Sequence, residues 1–296
     1  MDGASPSKQI HYIIITPVRD EAQHIEETVK SVTQQTILPL QWVIVDDGST
    51  DGTGEIVEHL SKQWPWITLL HRDNRGYRDA DIGAIGAFVA GCQSLHFTDW
   101  EFLVNLDADL TLQPDYFEKC FEEFDKDPAL GIGGGSLYHF NGLGAMKTES
   151  SPEFHVRGAT KIYRRACWDA IGGQREVPGW DTLDEVRAHL AGWRVRSFPH
   201  VTALHRRPTG QAGGAWRDGV KNGRSDYFLG YHPLFMLLKC ARRIFTKPYV
   251  VSGVGHGCGF LGGYLRRRPQ VADPAVISYV RTQQLRRLLF LESTWK

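Results

Sequence analysis

The chain has 296 residues, of which 42% are hydrophobic and 11% aromatic, enough apolar mass for one large globular body or two small ones. Its 34 Lys and Arg balance 34 Asp and Glu, so total charge names no partner and no nucleic acid is expected. Five widely spaced cysteines, with no Cys-x-x-Cys pair, exclude a zinc site and a disulfide framework and predict buried free thiols.

Residues 1–9 read as a flexible tail without the apolar run of a signal peptide. The β-branched run HYIIITPV (His11–Val18) predicts a strand. Glu21–Gln35 predicts a helix, with Ile25, Val29 and Val32 at helical spacing. WVIVDD (Trp42–Asp47) is a second strand, Gly54–Gln63 a helix, and WITLLH (Trp66–His71) a third strand. Asp79–Ser94 predicts a helix, FLVNLD (Phe102–Asp107) a fourth strand, and Pro114–Asp125 a helix. This alternation predicts a mostly parallel sheet with covering helices. GIGGGSLYHF and VRGATKIYRR extend the sheet; Thr182–Ala191 is a helix and WRVRSFPH a strand. Helices follow near Gly230–Ile244 and Pro274–Leu291, beyond a soft boundary at residues 206–215. Tyr249–Leu265 is apolar and rich in glycine but too short to span a bilayer, which needs about 20 apolar residues.

Charge is unevenly spread. From Arg206 to Lys296 there are 16 basic and 4 acidic residues, leaving 18 basic and 30 acidic in the rest. In His232–Phe245, Leu234, Leu237, Leu238, Ala241 and Phe245 fall at near-helical spacing, with Lys239, Arg242 and Arg243 toward another side. Arg266, Arg267 and Arg268 follow a second apolar stretch. Such helices either rest on an anionic membrane surface or pack on the body of the protein.

Three predicted strand ends carry distinctive residues: TPVRDE (Thr16–Glu21), DDGSTD (Asp46–Asp51) and DAD (Asp107–Asp109). In open parallel sheets ligands bind at those ends. Side chains two apart on an extended segment point the same way, so Asp107 and Asp109 repel each other unless a cation lies between them. Hard oxygen ligands suit Mg2+ or Mn2+, which bind substrate phosphates at the same time.

Together, TPVRDEAQHIEETVKSVTQQT, VIVDDGSTDGT and NLDADL resemble the nucleotide-sugar-binding half of a family 2 glycosyltransferase with the GT-A fold. IGGQREVPGWDTLDEVRAHLAGWRV is similar to that family's acceptor-side region, so the resemblance covers residues 10–205. It implies an α/β, Rossmann-like, mostly parallel central sheet with helices on both faces, plus a helical C-terminal extension. The GT-A domain would span 10–207, divided into a nucleotide-sugar half (10–112) and an acceptor half (113–207), with a basic helical extension at 208–296. By the same resemblance Pro17, Glu21, Asp46, Asp47 and Arg78 lie near the nucleotide, and Asp107 near the ribose or the metal. Asp109 is the main ligand of Mn2+ or Mg2+, His205 completes the shell, and Arg206 and Arg207 face the diphosphate. Asp181 matches the family's catalytic base, with Asp184 and Glu185 as alternatives.

The chain departs from the family pattern at three places. Trp180 stands where relatives carry Glu before the base. Ala80 and Asp81 stand where relatives often carry Arg and Asn, leaving Arg75 or Arg78 for the phosphates. The Gln-x-x-Arg-Trp of processive relatives is reduced to QAGGAWR.

The implied activity is metal-dependent, inverting transfer of a sugar from a nucleotide-diphosphate sugar to a hydroxyl of a saccharide or lipid-linked acceptor, in cell-surface or exopolysaccharide synthesis. The expected location is cytoplasmic and peripheral at the inner face of the membrane. A catalytically silent nucleotide-sugar-binding subunit is the rival reading. A nucleotidyltransferase would carry a glycine-rich, basic loop after the first strand, which TPVRDEA lacks.

Overall fold

Four apolar runs form parallel strands: Tyr12–Val18 (β1), Gln41–Asp46 (β2), Ile67–His71 (β3) and Phe102–Leu106 (β4). The computed structural model describes residues 10–76, 82–140, 144–149, 152–207, 214–245 and 249–295. Helices Ile25–Thr33 (α1), Thr53–Gln63 (α2) and Gly83–Gln93 (α3) connect these strands. Beyond them come Leu110–Leu112 (β5), Tyr116–Lys126 (α4), Leu130–Phe140 (β6), Met146–Thr148 (β7), Thr160–Arg164 (β8), Arg165–Ile171 (α5), Trp180–Leu190 (α6) and Arg194–His205 (β9). Among the described residues nine strands form one sheet, in the order β3-β2-β1-β4-β8-β6-β9-β5, with β7 on β6.

Strand residues alternate between two buried faces, as a covered parallel sheet requires. Tyr12, Ile14, Trp42, Ile44, Phe102 and Val104 pack against Ile25 and Val29 of α1 and the phenylalanines of α4. Ile13, Ile15, Val43, Val45 and Leu103 pack on the other side with Phe88 of α3 and Cys167 of α5. Cys120 and Cys167 are buried free thiols as expected, but Cys258 is exposed.

The C-terminal extension contains Ala215–Phe228 (α7), Pro233–Ile244 (α8), Val251–Leu265 (α9) and Pro274–Leu288 (α10). A third core joins it to α6: Leu183 and Val186 meet Tyr227, Met236, Phe260, Val276, Val280 and Trp295. The glycines of the sequence explain the closest contact, between α7 and α9. A Cβ on Gly223 would lie 2.1 Å from the carbonyl oxygen of His256, and one on Gly259 would lie 2.2 Å from that of Val220. Only glycine permits such backbone approach. Among the described residues no helix is long and apolar enough to cross a membrane.

Several boundaries differ from expectation. Residues 21–24 form a turn, so α1 begins at Ile25. Helix α6 begins at Trp180, because Gly179 at φ 72° starts it earlier than Thr182. The strand predicted over WRVRSFPH runs on to His205 because β5 and β6 pair along that edge. Helices α5, α7 and α9 and strands β5 and β7 are additions: short elements and glycine-rich helices carry weak periodicity.

Gly223→Ala is expected to destabilise the protein by about 1–3 kcal/mol through forced separation of the helices. Gly262→Ala, whose new Cβ meets nothing within 4 Å, serves as the control. Urea unfolding should show a lower midpoint for the first variant and an unchanged or higher one for the second.

Candidate active site

The parallel register brings the carboxyl ends of β1, β2 and β4 side by side, and the Asp47 N–H donates to the Val18 carbonyl at 2.9 Å. These ends open into a cleft of about 1190 Å3, whose walls include Pro17, Glu21, Asp47, Asp107, Asp109 and Asp181. Six of the ten sequence-predicted residues therefore share one cavity. Arg78 lies outside the described residues.

Asp46 stands behind the cleft and builds its turn. Its Oδ1 accepts the Ser49 N–H at 2.9 Å, and its Oδ2 lies 3.2 Å from His71 Nδ1. Gly48 has φ +77°, and a Cβ there would lie 2.5 Å from Asn74 Cα, so the turn requires glycine. Asp47 is ringed by cations. Arg72 Nη1 donates to its carboxylate at 2.9 Å, Arg75 Nη2 donates to the other oxygen, and Arg19 Nη1 donates to its backbone carbonyl at 2.9 Å.

After the DAD turn, β5 pairs antiparallel with β9 and sets Leu110 opposite His205. That pairing brings together residues far apart in sequence. His205 Nε2 lies 3.5 Å from Asp109 Oδ1, and its Nδ1 lies 2.6 Å from Glu149 Oε1. Glu149 in turn receives Arg157 Nη1 at 2.7 Å. Burial disfavours a charged His205, but its bonds to Asp109 and Glu149 outweigh that and raise its pKa to about 9. Burial, with the charges of Asp109 and Glu21 nearby, pushes Asp107 up to about 7. Asp109 and His205 are the pair able to hold a metal. Among the described residues no three His, Cys, Asp or Glu side chains converge on one ion position.

Arg206 does not reach the cleft: its Nε donates to Thr111 Oγ1 at 2.8 Å and its Nη2 to Glu27 at 3.3 Å. Both arginines lie in the bend just beyond β9, and the next one turns inward instead. Arg207 lines the cleft, donates to Glu21, and lies 3.3 Å from Asp109 Oδ2.

On the acceptor side, Asp181 sits in the first turn of α6, and its carboxylate accepts no hydrogen bond among the described residues. Trp180 lines the cleft beside it, its ring against Gly158, where a Cβ would lie 2.7 Å from the indole. The alternatives Asp184 and Glu185 serve a different purpose. The wholly buried Lys161 donates to the Asp181 backbone carbonyl at 2.6 Å, Asp184 Oδ1 at 3.1 Å and Glu185 Oε1 at 2.9 Å. Tyr163 also donates to Asp184. Despite burial, Asp184 and Glu185 hold the Lys161 pKa above its usual value; burial raises Asp184, while His155 and Lys161 hold Glu185 low. Sequence reasoning missed Glu149 and Lys161. Lys161 lies in an apolar strand run, where a lone lysine signals a buried ion pair.

Comparison with known proteins gives the family and the fold. Residues 13–175 match the family model described as Glycosyl transferase family 2. A chondroitin synthase of Pasteurella multocida is 32% identical over 117 residues, 40% of this chain and 11% of that protein. The glycosyltransferase AglD of Haloferax volcanii is 26% identical over 220 residues, 67% of this chain and 34% of that one. The chain thus spans a third or less of these two curated relatives. In fold it resembles the mannosyltransferase PcManGT of Pyrobaculum calidifontis, solved with GDP-Man and Mn2+. The TM-score is 0.55 at 18% identity, covering 97% of this chain and 77% of that one.

Lys161→Ala would leave Asp184 and Glu185 buried without their cation. A loss of about 3–5 kcal/mol in denaturant unfolding is expected. Adding Glu185→Gln should recover part of it, because one uncompensated charge is then removed.

Proposed function

Because the chain belongs to glycosyl transferase family 2, we propose that it moves a sugar from a nucleotide-diphosphate sugar to an acceptor hydroxyl with inversion, in polysaccharide or glycolipid assembly. The observation that carries this reading is one cleft holding both the strand-end carboxylates and the carboxylate of Asp181, which accepts no hydrogen bond among the described residues. The chondroitin and succinoglycan proteins among the relatives support a polysaccharide setting, and the fold is that of GT-A glycosyltransferases.

The residues fit a hard divalent cation. Burial, with the charges of Asp109 and Glu21 beside it, raises Asp107, and His205 offers a nitrogen beside Asp109. Asp109 and His205 would hold Mn2+ or Mg2+, with water and donor phosphates completing the shell. Bound there, the cation would neutralise the charge of the departing nucleoside diphosphate. Arg19 and Arg207, both lining the cleft, add fixed positive charge for the same phosphates. Pro17 and Asp47 border the nucleoside. Asp181 takes the acceptor proton as the hydroxyl attacks C1 from the face opposite the leaving group.

An anionic bilayer surface is the partner that the exterior of the extension fits. Helix α9 turns its glycines onto α7, and α8 turns Lys239 to Asp226 and Arg243 to Ser252. Their apolar stripes therefore face outward: Leu237 is 66% exposed, Phe245 79% and Leu265 85%. Arg242, Arg266, Arg267 and Arg268 rim this face and are exposed. From residue 234 onward only Asp273 and Glu292 are acidic, so a second copy would bring cations against cations. Anionic headgroups would offset that charge by about 1 kcal/mol per basic residue.

Asp109→Asn should abolish Mn2+-dependent binding of nucleoside diphosphate while leaving the unfolding curve unchanged; retained affinity would refute the metal assignment. Asp181→Asn should keep donor binding and lose transfer by about 10²–10⁴-fold, and near-normal turnover would move the base elsewhere. In liposome flotation, recovery should rise with anionic lipid content and fall when Arg266, Arg267 and Arg268 are all changed to Glu. Identical flotation of the two proteins would rule out the electrostatic anchor.

A further inference from the structure

The helical wall of the cleft carries several cations. Arg217 and Lys221 stand one turn apart on α7, and both line the cleft. Among the described residues neither makes a hydrogen bond or an ion pair. Arg243 of α8 lines the same wall, its Nη1 3.4 Å from Ser252 Oγ. The other strong charges there are already matched. Asp226 accepts Lys239 Nζ at 2.6 Å and His256 Nε2 at 2.6 Å. Asp218 is the wall's remaining carboxylate, on the same helix as Arg217 and Lys221.

Their position relative to Asp181 follows from packing. Gly179 starts α6 against the end of α7, where its Cβ would lie 3.0 Å from Leu229 and 3.2 Å from Ser225. Lys221 is one turn and Arg217 two turns back from Ser225. At about 5.4 Å per turn, their Cα atoms stand about 5 and 11 Å further along the axis. The donor diphosphate has its own partners at the strand ends. Cations on α7, which packs against the start of α6 and not at the strand ends, suit a charge on the acceptor instead. Helix α8 presents Arg243 to the cleft and its apolar stripe to the exterior, so the cationic wall borders the surface assigned to the bilayer.

We propose that Arg217 and Lys221, with Arg243, form a phosphate subsite that holds a phosphate ester carried by the acceptor. The acceptor's hydroxyl then reaches Asp181. This rests on the reading of Asp181 as the acceptor-side base. Two guanidiniums and a flexible ammonium, open to one cavity, match a phosphate better than a single carboxylate. The phosphate reaches the site either on a soluble sugar phosphate or on a lipid-linked one.

Titration calorimetry of the full chain in EDTA tests this with phenyl phosphate, decyl phosphate and the uncharged decyl maltoside. Wild type should bind both phosphates, and the Arg217→Gln/Lys221→Gln double variant should bind each at least about tenfold more weakly. Its unfolding midpoint should be unchanged, since Arg217 is exposed and Lys221 half-buried. Tighter binding of decyl phosphate than of phenyl phosphate, with no binding of the maltoside, identifies a lipid-borne source. Equal binding of the two phosphates identifies a soluble one. Equal affinity in wild type and double variant, or no phosphate binding by wild type, overturns the subsite. The measurement needs neither donor nor turnover. An inactive protein that keeps this phosphate response would count against the proposed transfer and leave the subsite standing.

Discussion

Mutual repulsion among Glu21, Asp107 and Asp109 is the constraint around which the donor end of the cleft is built. Strand ends of a parallel sheet bring these carboxylates together, and partial exclusion from water strengthens their repulsion. The chain offsets it with cations from β9 and just beyond it: Arg207 bridges Glu21 and Asp109, and a protonated His205 lies between Asp109 and Glu149. Arg157 then balances Glu149. An alternating row of charges thus runs from the first strand to β9. Such a row is poised for exchange, because a cation arriving with its own phosphates can take over the role of a proton or a guanidinium.

A second ion cluster answers a different need. Asp181 must stay near the cleft without a hydrogen-bond partner, yet it sits at the start of a helix, where backbones fray most readily. Lys161 closes that end by holding the Asp181 carbonyl and two buried carboxylates one turn on. The proposed base is held in place through its backbone. The same arrangement explains why three acidic residues in WDTLDEV have separate roles despite similar chemistry.

Much of this was legible from residues alone. The β-branched runs located the four parallel strands, and the acidic turns after three of them carry residues that line one cleft. What sequence hid was side-chain direction and non-local pairing. Arg206 and Arg207 are indistinguishable in composition, and only the bend that follows β9 decides which faces inward. Glu149 has no local pattern to mark it, since its role arises from an edge pairing remote in sequence. Helices α7 and α9 were obscured because their contact is made of glycine, which lowers helix propensity and leaves no apolar stripe to read.

The third core has a consequence for modularity. The change in composition near residue 206 invites a view of the extension as an accessory, yet its side chains complete the packing of α6. Removing it would expose Leu183 and Val186 and strip one side from the element that carries Asp181. The wall facing the acceptor and the support beneath the base are the same set of helices. Acceptor preference in this architecture cannot be exchanged as a cassette; any change of that wall is also a change in the stability of the catalytic body.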